Sequence, residues 1–312
     1  MPSSLTLSSN QKKQATLLYY FSSLDYLKGL KERVDLLIGP QDAPRGKSSR
    51  HEKQRRATFH KTMPVRLGAQ GNSALHLLLA YQQSLKVDIF ERKRDMFSET
   101  GTHQCGRALS EVPLPGNGPA GWEAFEAAFE GISLYAGRID KTMAQSGTAG
   151  ERDDSCFTGA WTERAGCFSR FPQFRVHTDE VAETGQVPHR TGVYVSSDDP
   201  HAALQFAWVG GQGGRLLEGV TFNPLGLAAL ESVGRQRLWL DEVAMLRVVQ
   251  ANLNNADLNA DPGFECAEIA ELAPSLIARN AFTSRAMKWH YVEKIDGAFE
   301  EINESETVQL HR

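Results

Sequence analysis

The spacing of apolar residues changes character midway along this chain, and that change most restricts what it can fold into. Up to residue 143 they recur at three- and four-residue steps, the signature of a helix with one buried stripe. The first stripe runs from Gln11 to Ile38 through Leu17, Tyr20/Phe21, Leu24, Leu27, Leu30, Val34 and Leu37/Ile38. Gly39-Pro40 ends it, because proline disfavours helical geometry in the residue before it. A second stripe covers about 71–97, with Leu75, Leu78/Leu79, Leu85 and Ile89/Phe90. A third follows the Pro113–Pro119 loop and carries Trp122, Phe125, Phe129, Ile132, Ala136, Ile139 and Met143. Each helix hides a single face and needs neighbours, which predicts an N-terminal antiparallel helical bundle over residues 1–150.

Gly147–Asp154 breaks the pattern, and shorter blocks follow. Residues 192–196, 204–209 and 215–222 read as strands. Gly210–Gly214 is expected to join the last two as a hairpin. Asn223-Pro224 opens a helix ending near Gly234, Asp241 caps another to about Leu253, and a third runs near 265–280. Residues 286–294 read as a closing strand. The predicted class is therefore α+β: the helical bundle, then a small α+β domain over 151–312 with an antiparallel sheet. A length of 312 residues suits two such domains.

Charge separates along the same axis. Residues 1–110 carry 18 Lys+Arg against 9 Asp+Glu; residues 111–256 carry 11 against 18, and residues 257–312 carry 5 against 11. An acidic body of this kind attracts basic partners. No apolar run approaches the ~18 residues of a membrane span. The opening ten residues lack the pattern of a secretory signal, and four dispersed cysteines (Cys105, Cys156, Cys167, Cys266) suit a reducing compartment. A cytoplasmic protein is expected.

Several constellations invite chemistry. Asp257, Asn259, Asp261 and Glu268 have the spacing of a calcium loop, but its sixth position must turn sharply through positive φ, and Pro262 stands there. A polar turn between helices is the better reading, and no metal is expected. Gly210–Gly214 precedes a strand and not the helix a phosphate cradle requires. Cys156, Cys167, His177 and His189 lack the close pairs of a zinc site. Ser196–His201 suits a turn in which short oxygen side chains bond nearby amides. The basic stretch 45–61 offers phosphate contacts but only Phe59 for stacking, so it reads as a solvated loop and nucleic acid is not the expected partner. No reaction can be assembled from these pieces, and no cofactor is implied.

From Asp153 onward the chain resembles the immunity proteins of bacterial polymorphic toxin and type VI secretion systems. The resemblance rests on Cys156-Phe157-Thr158-Gly159-Ala160-Trp161, on Gly185–Val195 with its Pro188-His189-Arg190-Thr191-Gly192-Val193-Tyr194 core, on Asp198–Trp208, and on Leu238-Trp239-Leu240-Asp241. In that family a Thr-Gly-x-Trp turn and a later Pro-x-x-Thr-Gly-aromatic turn frame one small domain, often behind a helical region. It implies an antidote and no enzyme: a protein that binds a cognate effector toxin and blocks it. A basic nuclease acting in the cytoplasm would match the acidic two thirds. Asp153, Asp154, Trp161, Asp198 and Asp199 are then the expected partner-binding residues. The competing readings are a nucleic-acid-binding or regulatory protein using 45–61, and an enzyme built from scattered residues such as Cys156, His177 or His201.

Overall fold

The computed structural model describes residues 5–39, 68–112, 122–144, 152–210, 212–262 and 269–301. The basic stretch 41–61, the Pro113–Pro119 loop, Gly147–Glu151 and Glu268 lie outside the described residues. The fold is α+β, with helices first and sheets later. Among the described residues no helix is long and apolar enough to cross a membrane.

Phe21–Met143 form one compact unit. It contains α2 (Leu24–Ile38), α3 (Gly68–Arg92), α4 (Thr102–Ser110) and α5 (Trp122–Met143). Much of the stripes read from the sequence is its core: Leu27, Leu30, Val34, Leu85, Ala136 and Ile139 have no exposed surface, whereas Leu75 and Phe90 of the second stripe are exposed. Tyr26 and Tyr135 stack with ring centroids 4.0 Å apart, and each hydroxyl donates to the other's backbone carbonyl. Gly29 permits this approach, since a Cβ there would lie 2.6 Å from the Tyr135 hydroxyl.

The second unit groups Met1–Tyr20 with Ala144–Arg312. The first stripe is thus two helices, and α1 (Ser9–Phe21) belongs to the later unit instead of the bundle. The break has a local cause: Ser23 takes an extended conformation and its hydroxyl accepts from the Tyr26 N–H, starting α2 afresh. The grouping has a tertiary cause in polar contacts from α1. Gln14 Oε1 accepts from the Leu204 N–H at 2.9 Å, Gln11 donates to the Pro200 carbonyl at 3.3 Å, and Lys12 pairs with Glu300 at 2.5 Å.

In this unit α6 (Asp154–Arg164) precedes β1 (Arg170–Glu183), β2 (Gly192–Ser196) and β3 (Gln205–Ala207). Then come β4 (Gly219–Phe222), α7 (Pro224–Val233), α8 (Glu242–Ala251), α9 (Ala256–Ala260), α10 (Ile269–Asn280), β5 (Phe282–Arg285) and β6 (Lys288–Glu301). One antiparallel sheet has the order β1-β6-β2-β3, and β4 pairs with β5 in a second sheet. The expected hairpin between β3 and β4 does not form. The Gln205 side chain takes both backbone groups of Leu217, accepting from its N–H at 2.9 Å and donating to its carbonyl at 3.2 Å. Those are groups a β3–β4 ladder would have used. The expected Thr-Gly-x-Trp turn is likewise helix, because Asp153 caps α6 by accepting from the Cys156 N–H at 2.9 Å. Helices α7 and α8 begin where the sequence places them, capped by Asn223 and Asp241. With α10 and β4 they enclose a core that includes Leu225, Ala229, Met245, Leu276 and Ile277.

Asp154 joins the pieces of this unit. Its side chain is almost wholly buried and accepts from Asn10 Nδ2 at 2.8 Å, Gln14 Nε2 at 3.4 Å and Trp239 Nε1 at 2.9 Å, with the Arg235 guanidinium 2.7 Å away. Asp154→Ala strands the buried Gln14 and Trp239 donors and unpairs the partly exposed Arg235, and should cost about 3 kcal/mol of stability, the low end of the range for removing one partner of a buried ion pair. Urea unfolding of the variant against the parent measures this, and a loss below ~1 kcal/mol would contradict the role assigned to Asp154.

Candidate functional site

Four of the five residues expected to contact a partner are internal. Asp153 and Asp154 are 1% and 3% exposed, the first as a helix cap and the second in the network above. Trp161 stacks on Phe168 with centroids 5.4 Å apart and leans on Phe171 at the same distance. Asp199 accepts from the His201 N–H at 2.8 Å, the Thr221 hydroxyl at 2.8 Å and Arg285 Nη2 at 2.6 Å. Asp198 alone is exposed, and its Oδ2 accepts from the Lys288 N–H at 2.9 Å. The expected acidic face is therefore corrected: these carboxylates staple turns together, since each has backbone or cationic donors close at hand. The polar-turn reading of Ser196–His201 matches the geometry, with Ser196 Oγ accepting from both the Asp198 and Asp199 N–H groups.

Of the calcium-like residues, Glu268 lies outside the described residues. Asp257 and Asn259 are exposed on the short helix α9, while Asp261 is engaged by Arg279 at 2.7 Å and 2.9 Å and by Asn280 at 3.0 Å. Of the enzyme candidates, Cys156 lies in α6, the His201 ring packs against Phe222 at 5.8 Å, and His177 lies in β1.

His177 marks a constellation the sequence did not reveal. β1 and β6 pair closely on both sides of a register shift: His177 faces Tyr291, and the next paired residue of β1 is Val181, opposite His290. Thr178, Asp179 and Glu180 are therefore extra residues on β1 with no counterpart on β6. Bulges of this kind re-aim side chains and recur beside functional sites. This one is pinned. Nδ1 of the buried His290 donates to the Glu180 carbonyl at 3.0 Å, and Arg190 Nη2 meets Glu180 Oε1 at 2.6 Å. Tyr194 in turn fixes Arg190, its hydroxyl donating to the Arg190 carbonyl at 2.6 Å. Beneath the cluster Tyr291 contacts the rings of His177 and Tyr194 at 5.6 Å and 5.7 Å, with the Arg190 guanidinium 5.4 Å above its ring. Gly192 leaves room for it, because a Cβ there would lie 2.6 Å from the Tyr291 ring.

Nε2 of His177 lies 3.0 Å from Glu293 Oε2, and its Nδ1 lies 4.0 Å from Asp179 Oδ1. The hydrogen bond from His177, together with the nearby charges of Arg175 and Arg190, holds the Glu293 carboxyl below its ordinary range. It is then an anion that only accepts, so Nε2 carries the hydrogen. One imidazole, three carboxylates and two guanidiniums thus share an open stretch of sheet, suited to gripping a charged group or an ion. The signal available in sequence was the run Arg175–Val181, which alternates weakly and places a histidine two residues before two acids. It carries no turn residue to announce the bulge. Compared with family models, curated proteins and solved structures, the chain matches none.

Asp199 supplies a pH test of the stapling. Burial works to raise its carboxyl, but the hydrogen bonds from Thr221, the His201 N–H and Arg285 outweigh burial and hold it below the ordinary range. A depressed folded value means stabilisation that is present at neutral pH and is lost as pH falls below about 4, through the lower folded value. Urea unfolding measured downward from neutral pH should show a steeper acid loss in the parent than in Asp199→Asn. Equal slopes would contradict the assignment.

Proposed function

We propose that the protein is an immunity protein: it binds a cognate effector toxin of a type VI or related polymorphic system in the cytoplasm and neutralises it by stoichiometric contact. The observation that carries this reading is the outer edge of the four-stranded sheet. β1 is 14 residues long and stands first in the order β1-β6-β2-β3, so among the described residues no strand pairs with its outer side. Unpaired N–H and C=O groups on such an edge are a template for another chain. Pro172 and the two register shifts interrupt that template, which restricts the partners it can accept. Beside it stand exposed Arg175, Asp179, Val181 and Glu183 and half-buried Tyr291, a mixture of charge and aromatic surface suited to protein recognition.

Two further features support the reading. The residues that carry the family resemblance include the buried aromatics of the second unit, Trp161, Tyr194, Trp208 and Trp239, so they belong to a scaffold that presents the edge. The acid excess after residue 110 suits a toxin with a basic phosphate-binding cleft, that is, a nuclease.

Mixing the protein with its toxin should give an equimolar complex by light scattering and titrate nuclease activity to zero at one equivalent, leaving the toxin's mass unchanged. Residual activity at excess protein, catalytic inhibition below one equivalent, or a covalently altered toxin would overturn the proposal. Asp179→Lys combined with Glu183→Lys should slow association about tenfold at low salt and change dissociation little, as for charges that steer encounter. An unaltered association rate would place the contact away from this edge.

A further inference from the structure

The facing groups in the β1 bulge leave a question of what joins them. Nε2 of His177 is taken by Glu293 at 3.0 Å, and Nδ1 lies on the side of Asp179, whose Oδ1 is 4.0 Å away. That distance is too long for a direct hydrogen bond between the two. Glu180 converges on the same spot: among the described residues, His177, Asp179 and Glu180 are the only group of three or more His, Cys, Asp or Glu side chains whose ligand atoms all lie within 4.8 Å of one another. Glu180 Oε1 is engaged by Arg190, and a carboxylate retains a second oxygen for another partner.

The arrangement around the imidazole is also the one that metal-binding histidines adopt. Such a ring donates its remote N–H to a carboxylate, which fixes the tautomer, sets the ring orientation and raises the basicity of the ligating nitrogen. Here Glu293 holds Nε2, Tyr291 supports the ring, and Nδ1 is left as the ligand. The bulge, pinned through the Glu180 carbonyl and side chain, brings the two acids to that nitrogen.

The geometry points to a divalent metal site formed by His177 Nδ1, Asp179 and Glu180, with Glu293 as the positioning carboxylate behind the histidine. One imidazole with two carboxylates suits a first-row ion such as Zn²⁺ better than Ca²⁺ or Mg²⁺, which prefer all-oxygen shells. Three protein ligands leave a coordination position for water, and the exposed Asp179, with 81% of its side-chain surface accessible, keeps that position open to solvent. The site concerns the protein alone and stands whether or not the partner reading does.

Zn²⁺ titrated into the metal-free full-length protein, followed by calorimetry and by the ¹⁵N shifts of the histidine rings, tests this directly. One equivalent should bind, with the largest shift at His177 Nδ1. Asp179→Asn changes an exposed side chain and leaves the fold intact, so it is the decisive variant and should weaken binding at least tenfold. Glu293→Gln should weaken it about 10- to 100-fold, the usual effect of losing a carboxylate behind a ligating histidine. His201→Ala should change nothing. Absence of a saturable Zn²⁺ site, or binding that Asp179→Asn leaves intact, overturns the proposal. So does Zn²⁺ binding that leaves the His177 Nδ1 shift unmoved, because the ion would then sit elsewhere.

Discussion

A carboxylate taken out of water is tolerated only where donors replace its hydration, and the second unit is organised around one such group. Asp154 draws in two amides from α1, the indole of Trp239 and the guanidinium of Arg235. Because these donors come from two separate stretches of chain, α1 and residues 235–239, satisfying the charge fixes both against α6. Asp153, one residue earlier, caps α6, so adjacent acids define where that helix begins and what its first turn touches. Asp199 repeats the device between the sheets, bonding to Thr221 of β4 and Arg285 of β5 from the turn that follows β2.

Commitment of these acids to the interior determines where an interaction surface can lie. The β1–β6 ribbon carries its ionisable groups at a bulge, held by His290 and Arg190 and backed by Tyr291. A site on a pinned bulge of a paired strand is held more firmly than one on a free loop. The same rigidity that would keep ligand atoms converged would present a fixed edge to a partner chain. The proposed recognition at the edge and the proposed ion binding at the bulge would thus draw on one piece of architecture.

Much of the helical part was legible because its cause is local. The stripe from Phe125 to Met143 is one face of α5, buried except for the half-buried Phe129, and Asn223 and Asp241 start helices by bonding amides three residues away. The strands were less legible. β1, the longest with β6, went unread because its alternation is interrupted by Pro172 and the bulge, and half-buried polar residues fill positions where an apolar signal would have stood. The proposed Zn²⁺ ligands are adjacent in sequence yet unremarkable there, since only the register shift against β6 turns them toward one another.

Sequence by itself determined the α+β class, the helical stripes of the first unit and the starts of α7 and α8 at Asn223 and Asp241, all consequences of periodicity and of bonds within a few residues. Tertiary structure alone decided that α1 leaves the bundle for the sheet-bearing unit, that β3 and β4 take different partners, and that Asp153, Asp154 and Asp199 face inward. Each of those outcomes depends on polar groups brought together from distant parts of the chain: Gln14 with Leu204, Gln205 with Leu217, Asp154 with Trp239. Such pairings leave no periodic trace, because a buried acid and an exposed one are the same letter until the fold supplies or withholds its donors.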